Sequence, residues 1–206
     1  MNPFSNFSKH AGEVFRRMTR HQYDVTDDGS VYIGGMNAKV GGAMATAHRP
    51  NGAEFGPWQI DHNKIPTEGL VQLVGAGVGI LPQITQFYIA PFAGNVTPGA
   101  GWTGANFAAN STEFLDYTAA TRLPWTIVAP TTTPTVDNGA AIAAATLTFA
   151  TGGPYNLYGA GVLQAAAKSA TTGKILMAVR FTNPRLNMGA GDDLAFHYGL
   201  TLSDAG

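Results

Sequence analysis

The 206-residue chain contains no cysteine. Disulfide frameworks, thiolate metal sites and cysteine nucleophiles are therefore excluded, and the redox compartment is left open. Charge is the second scarcity: 12% of residues are charged, about half the usual share. With a formal net charge of −1, the chain as a whole makes no electrostatic case for nucleic acid or for an anionic membrane. It also lacks the run of about 18 apolar residues that a spanning helix needs. Its most apolar window, Leu70 to Leu81, is broken by Gly75, Gly77 and Gly79. No basic stretch leads into an apolar run at the start, so no secretory signal is read there.

What is plentiful is turn-forming residues, 26 glycines and 12 prolines. A sequence this poor in charge suits a surface held inside an assembly better than one free in solution. What charge there is divides the chain unevenly. Residues 1–64 hold seven Lys/Arg, six Asp/Glu and four of the five histidines, whereas residues 65–206 hold five Lys/Arg and seven Asp/Glu. That shift predicts a polar, contact-making N-terminal arm over 1–64 and a compact domain over 65–206.

Within the arm, Lys9 to Arg20 has the pattern of a short helix with Val14, Phe15 and Met18 on one face. Arg16, Arg17, Arg20 and His21 form a small basic cluster beside it. The cluster suits docking on an acidic surface or on nucleic acid, although most such charge runs are solvated helix faces. Tyr23 to Ile33 reads as a hairpin about Asp28-Gly29, a pair that tolerates positive φ. Asp24, Asp27 and Asp28 lack the glutamate that a calcium loop would place after them, so the turn is the better reading. Gly34 to Pro57 is glycine-rich and without period. Such a segment is extended and stays ordered only where something holds it, which implies a partner surface or a neighbouring copy.

From residue 65 the pattern changes. Thr67 is placed to cap a short helix with Leu70, Leu73 and Val74 on one face. Strands are predicted at Ile84 to Phe92, Trp125 to Val128, Thr146 to Phe149, Asn156 to Leu163, Lys174 to Thr182 and Leu194 to Leu202. Asn95 to Asn110 is a long loop carrying Trp102 and Phe107. Short strands at this spacing without long helices between them indicate a mainly β fold, an antiparallel β-sandwich or jelly roll.

The most distinctive stretch is Glu113 to Thr126. Arg122 is the only basic residue between Lys64 and Lys168. With Glu113 and Asp116 close in sequence, it is expected to form an ion pair or to bind loop carbonyls. Together with Tyr117 and Trp125 it would clamp a crossover between two layers.

Chemistry is hard to find. His10, His21, His48 and His62 show no spacing that presents a ligand pair, and His197 sits between Phe196 and Tyr198 as an interface or partly buried ring. There is no nucleophile elbow, phosphate-binding loop or His-Glu-x-x-His. A glycosidase needs two carboxyls held across a cleft, and few acidic residues here lie on predicted strands. The sequence points away from an enzyme and calls for no cofactor or metal.

Several segments from Pro66 onward resemble a family. They are the Thr67-Glu-Gly-Leu helix start, Gln83 to Ala90, Tyr117 to Trp125 (Tyr-Thr-Ala-Ala-Thr-Arg-Leu-Pro-Trp), Gly173 to Phe181 and Gly191 to Tyr198. The family is the tailed-bacteriophage virion proteins of the capsid decoration or cement type, small β-sandwiches. The similarity covers the last two-thirds of the chain and leaves out residues 1–64. Leu123 stands between Arg122 and Pro124, where the family's pattern has proline directly after the arginine. The resemblance implies a virion protein made in the host bacterial cytoplasm that coats the capsid exterior and clamps neighbouring major capsid subunits. Its partners would be the major capsid protein and other copies of itself. On that reading Phe4, Phe7, Phe15, Tyr23, Tyr32, Phe55 and Trp58 are apolar anchors of the arm, with Arg16 and Arg17 beside them. Two alternatives are a tail, neck or head-fibre component, and a carbohydrate-binding module using Trp102 and Trp125 as stacking platforms.

Overall fold

A computed structural model describes residues 24–25, 31–33 and 38–204, apart from 129, 131 and 151. The predicted helix over Lys9 to Arg20 and the anchors Phe4, Phe7, Phe15, Arg16, Arg17 and Tyr23 lie outside the described residues.

Two antiparallel sheets make a β-sandwich. The spine of the first sheet is β3 (Ala38–Arg49) against β11 (Asp193–Asp204), paired without a break from Ala38↔Asp204 to Arg49↔Asp193. Each spine strand shares its outer edge between two short partners. On β3 these are β2 (Val31–Ile33) and β4 (Gln59–His62). On β11 they are β7 (Thr135–Asp137) and β8 (Thr146–Thr148). Beyond β2 lies β1 (Asp24–Val25), in the register of the predicted hairpin, with Val25 opposite Val31. The second sheet runs β10 (Ile175–Met188), β9 (Tyr155–Leu163), β5 (Phe87–Phe92) and β6 (Leu123–Trp125).

The strand pairing corrects the division at residue 64. The glycine-rich stretch is paired with the chain's own β11, and β3 and β4 are integral to the first sheet. Gly42 shows why glycine is needed here: a Cβ would lie 2.2 Å from the Tyr198 hydroxyl, which crosses over β3 at that point.

The main core fills the space between the sheets. Met44, Leu147, Leu194, Phe196 and Tyr198 come from the first, and Ile89, Val162, Leu157, Met177, Val179 and Phe181 from the second. A smaller core lies on the other face of the second sheet, where Ala90, Phe92, Leu163 and Ala178 are covered by Trp102 and Phe107. The loop read from Asn95 to Asn110 therefore forms a third layer and ends in a short helix, α2 (Phe107–Ser111), preceded in the chain by α1 (Thr67–Gly77). Pro66, not Thr67, is the N-cap of α1, with no side-chain capping bond. α1 is fastened instead by Glu68, which accepts from the backbone N–H of Gly104 and Ile175 and from Lys174. At Gly69 the helix meets β10 so closely that a Cβ would be 2.0 Å from the Leu176 carbonyl.

Other boundaries differ in detail. β6 ends at Trp125, where a strand was predicted to begin. A 3₁₀ helix, Gly139–Ala145, precedes β8.

Candidate functional site

The clamp region forms around a buried arginine. Arg122 donates from Nε and Nη2 to the two carboxylate oxygens of Glu113 at 2.8 and 2.7 Å, and from Nη1 to the Ala165 carbonyl at 3.0 Å. The two side chains are 0% and 1% exposed. This is the two-pronged geometry that a guanidinium and a carboxylate favour, with a loop carbonyl taking a further donor. Glu113 also accepts from the Ser169 backbone N–H. The pair thus ties the end of the covering layer, the crossover and the loop after β9 together.

Asp116 stands apart from the ion pair and accepts from the Tyr155 hydroxyl. Tyr117 lies under Lys168, whose ammonium is 3.5 Å from the ring centre and donates to the carbonyls of Leu115 and Tyr117. Burial raises the Tyr117 pKa, with Glu113 adding and Arg122 opposing; burial lowers that of Lys168 against Asp116 and Glu113. Trp125 joins the sheets, donating its indole N–H to the Tyr198 carbonyl at 3.1 Å.

A second buried arginine escaped the sequence reading. Arg185, on β10, donates to Thr46 on β3, to Gln59 and Asp61 on β4, and to the Asn183 carbonyl. Asp61 accepts in turn from the Thr182 N–H at 2.6 Å. Burial pulls the Arg185 pKa down, opposed by Asp61. Its side-chain partners lie 124 to 139 residues away in sequence, so no local pattern marks it.

A third network closes the turn before β11. Asp193 accepts from Arg49 and Thr148. Asp192 accepts from His48 at 3.1 Å and from the N–H groups of Asn51 and Gly189, both at 2.9 Å. Partial burial pushes the Asp192 pKa up, but these donors outweigh it and hold the carboxyl below its usual range.

The remaining predicted residues are dispersed. Among the described residues no group of three or more His, Asp or Glu is placed to hold a metal. His197 lies near Asp137 and edge-on to Trp58. Trp102 and Trp125 are 8% and 3% exposed, so neither offers a face to a sugar, which corrects the platform assignment. Tyr32 falls in β2. Phe55 and Trp58, in contrast, are 40% and 43% exposed and neighbour Ile60 at 66%. Phe55 lies against the Arg49 guanidinium, 4.6 Å from its ring centre.

Trp58, against His197, and Ile60 on β4 border the outer face of the first sheet. Gly41, Ala43, Ala45 and Gly199 floor a trough of about 510 Å³ there, walled by Ile60 and His62 on β4 and by Thr135 and Asp137 on β7. Small residues on the two spine strands and larger ones on their neighbours create the hollow.

Fold and site define an antiparallel β-sandwich whose buried charges are engaged in structural ion pairs and whose outer sheet face carries an aromatic-edged trough. A scan against protein-family models and searches of curated proteins and of solved structures gave no match to this chain.

Proposed function

We propose that this chain is a structural virion protein of the capsid decoration or cement type. It would bind the outer surface of a phage shell and bridge neighbouring major capsid subunits. The observation that carries the reading is the outer face of the first sheet, where Ile60 and Trp58, the latter edge-on to His197, stand exposed beside the small-residue trough. Exposed aromatic and aliphatic side chains beside a concavity are what dominates protein–protein binding, and shape complementarity needs such a hollow. The scarcity of charge suits a surface that spends its working life covered. A rigid sandwich with many modest contacts would add strength to a shell by multivalency. The sequence resemblance over Tyr117 to Trp125 points the same way.

Co-sedimentation of the purified chain with shells assembled without it tests the proposal. Saturable binding at a fixed number of copies per major capsid subunit is expected, and Trp58→Ala should weaken it about tenfold or more. Absence of binding to any shell, with a ring or spike forming instead, would move the assignment to a tail, neck or fibre component.

A further inference from the structure

α1 is apolar nearly all round. Its one charged residue, Glu68, is tied to Lys174, Gly104 and Ile175. Leu70 packs into the main core. On another side Val71, Val74 and Val78 recur at i, i+3 and i+7, and Val71 and Val78 are 46% and 63% exposed. A helix apolar on more than one side is ordinarily covered on each of them.

The stripe borders a groove. Among the described residues, the inner face of the first sheet is not filled beside α1. Val40, Leu200, Leu202 and Val136 line it there, with Val74, Val78, Pro130 and Pro134, around a cavity of about 500 Å³. The backbone register sets Leu202 opposite Val40. A second cavity of about 260 Å³, reaching Phe87 and Trp125, opens beside it. The two share Leu73, Gly77, Val136 and Leu200, and no charged residue lines either.

We infer that this open end is a two-fold interface between two copies of this chain. Three observations favour a second copy as the occupant. The groove carries projection and hollow together: Val78 and Leu202, 63% and 50% exposed, are among the residues that line it, and a Cβ built on Gly77 within it would touch nothing within 4 Å. An isologous contact requires that pairing, because residue i of one copy meets residue j of the other and the reverse. Next, the lack of charge lets identical surfaces meet without like-charge opposition, and homodimer interfaces are the more apolar class. The extent also fits: ten residues line one cavity and twelve the other, with four shared, near the lower end of the ~20–30 per side of a standard interface.

The inference does not rest on the capsid reading. On β7, Val136 lines the apolar groove while Thr135 and Asp137 line the outer trough, so the two surfaces lie on opposite faces of one sheet, and self-association is measured with no shell present.

Sedimentation velocity on the full chain is the test, with three variants. Wild type should sediment as a dimer. Val78→Lys/Ile80→Lys, which places cations favourably at the C-terminal end of α1, and separately Leu202→Lys should each raise the dissociation constant about a hundredfold or more. Ile60→Lys, on the outer face, should leave the dimer intact. All four positions are at least half exposed, and near-ultraviolet circular dichroism checks that the folds match. A wild-type monomer at concentrations up to about 100 μM, or a dimer that survives both groove variants, would overturn the inference.

Discussion

Arg122 and Glu113 show how much a single pair can fix in this chain. Taking both charges out of water offsets much of their attraction, so the intact pair adds little net stability; removing one partner strands the other. Glu113→Leu or Arg122→Met alone should therefore lower the unfolding free energy by about 3–5 kcal/mol. The double variant Glu113→Leu/Arg122→Met should lose far less than the two singles added together. Urea unfolding of the four proteins decides this, and additive losses would show that the pair is not acting as a unit. Tyr198 makes the opposite case. It is fully buried and its hydroxyl has no hydrogen-bond partner among the described residues. Burial raises its pKa well above the ordinary value. The folded state thus favours the neutral phenol. That stability is fully present below about pH 10 and is lost as pH rises from there through the folded pKa. Tyr198→Phe should stabilise the protein by about 1 kcal/mol at neutral pH and flatten the alkaline limb of its stability curve. Tyr117, shifted in the same direction, retains part of that limb. At this scale Arg122 was legible because no other basic residue lies within about 40 positions on either side. Arg185 was not: its partners Asp61 and Thr46 sit in the stretch that charge density had assigned to an arm.

Among the elements, β3 was the one hidden in the sequence. Gly41, Gly42, Ala43, Ala45 and Ala47 supply small residues where a strand usually shows branched or aromatic ones. The alternation that remains, Val40, Met44 and Thr46, is too sparse to see without β11 beside it. β9, β10 and β11 were legible because branched and aromatic residues alternate between turn clusters. The same point fixes what truncation should do. Removing residues 1–37 takes away β1 and β2, whose pairing with the rest of the sheet is, among the described residues, the three pairs of β2 with β3, and should leave a cooperative unfolding transition. Removing residues 1–49 deletes half the spine and the Thr46 contact of Arg185, and should abolish that transition. Thermal melts of both truncations provide the comparison. A folded 50–206 fragment would show that the second sheet is sufficient by itself.

For the whole molecule, the sandwich class followed from strand spacing alone, while its layers did not. The third layer arises because Trp102 and Phe107, read as loop residues, close over Phe92 with edge-to-face ring contacts. The two exposed faces were also out of reach. Val136 belongs to one and its neighbours Thr135 and Asp137 to the other, a separation visible only once β7 is known to be a strand. If both surfaces are occupied, one sheet serves a shell on one side and a second copy on the other, which explains how a chain with so few charges keeps its apolar surface covered.

The pairing of β3 with β11 also sets a timetable. Synthesis runs from the N-terminus, so the ribosome delivers Ala38–Arg49 long before Asp193–Asp204. Through that interval the first sheet has no centre, and β2, β4, β7 and β8 have no spine to join. Contacts that span most of the chain make folding slow and leave strand edges unpaired meanwhile. Until its final described strand has left the ribosome, this protein has no outer trough and no open apolar end, so neither surface can engage a partner prematurely.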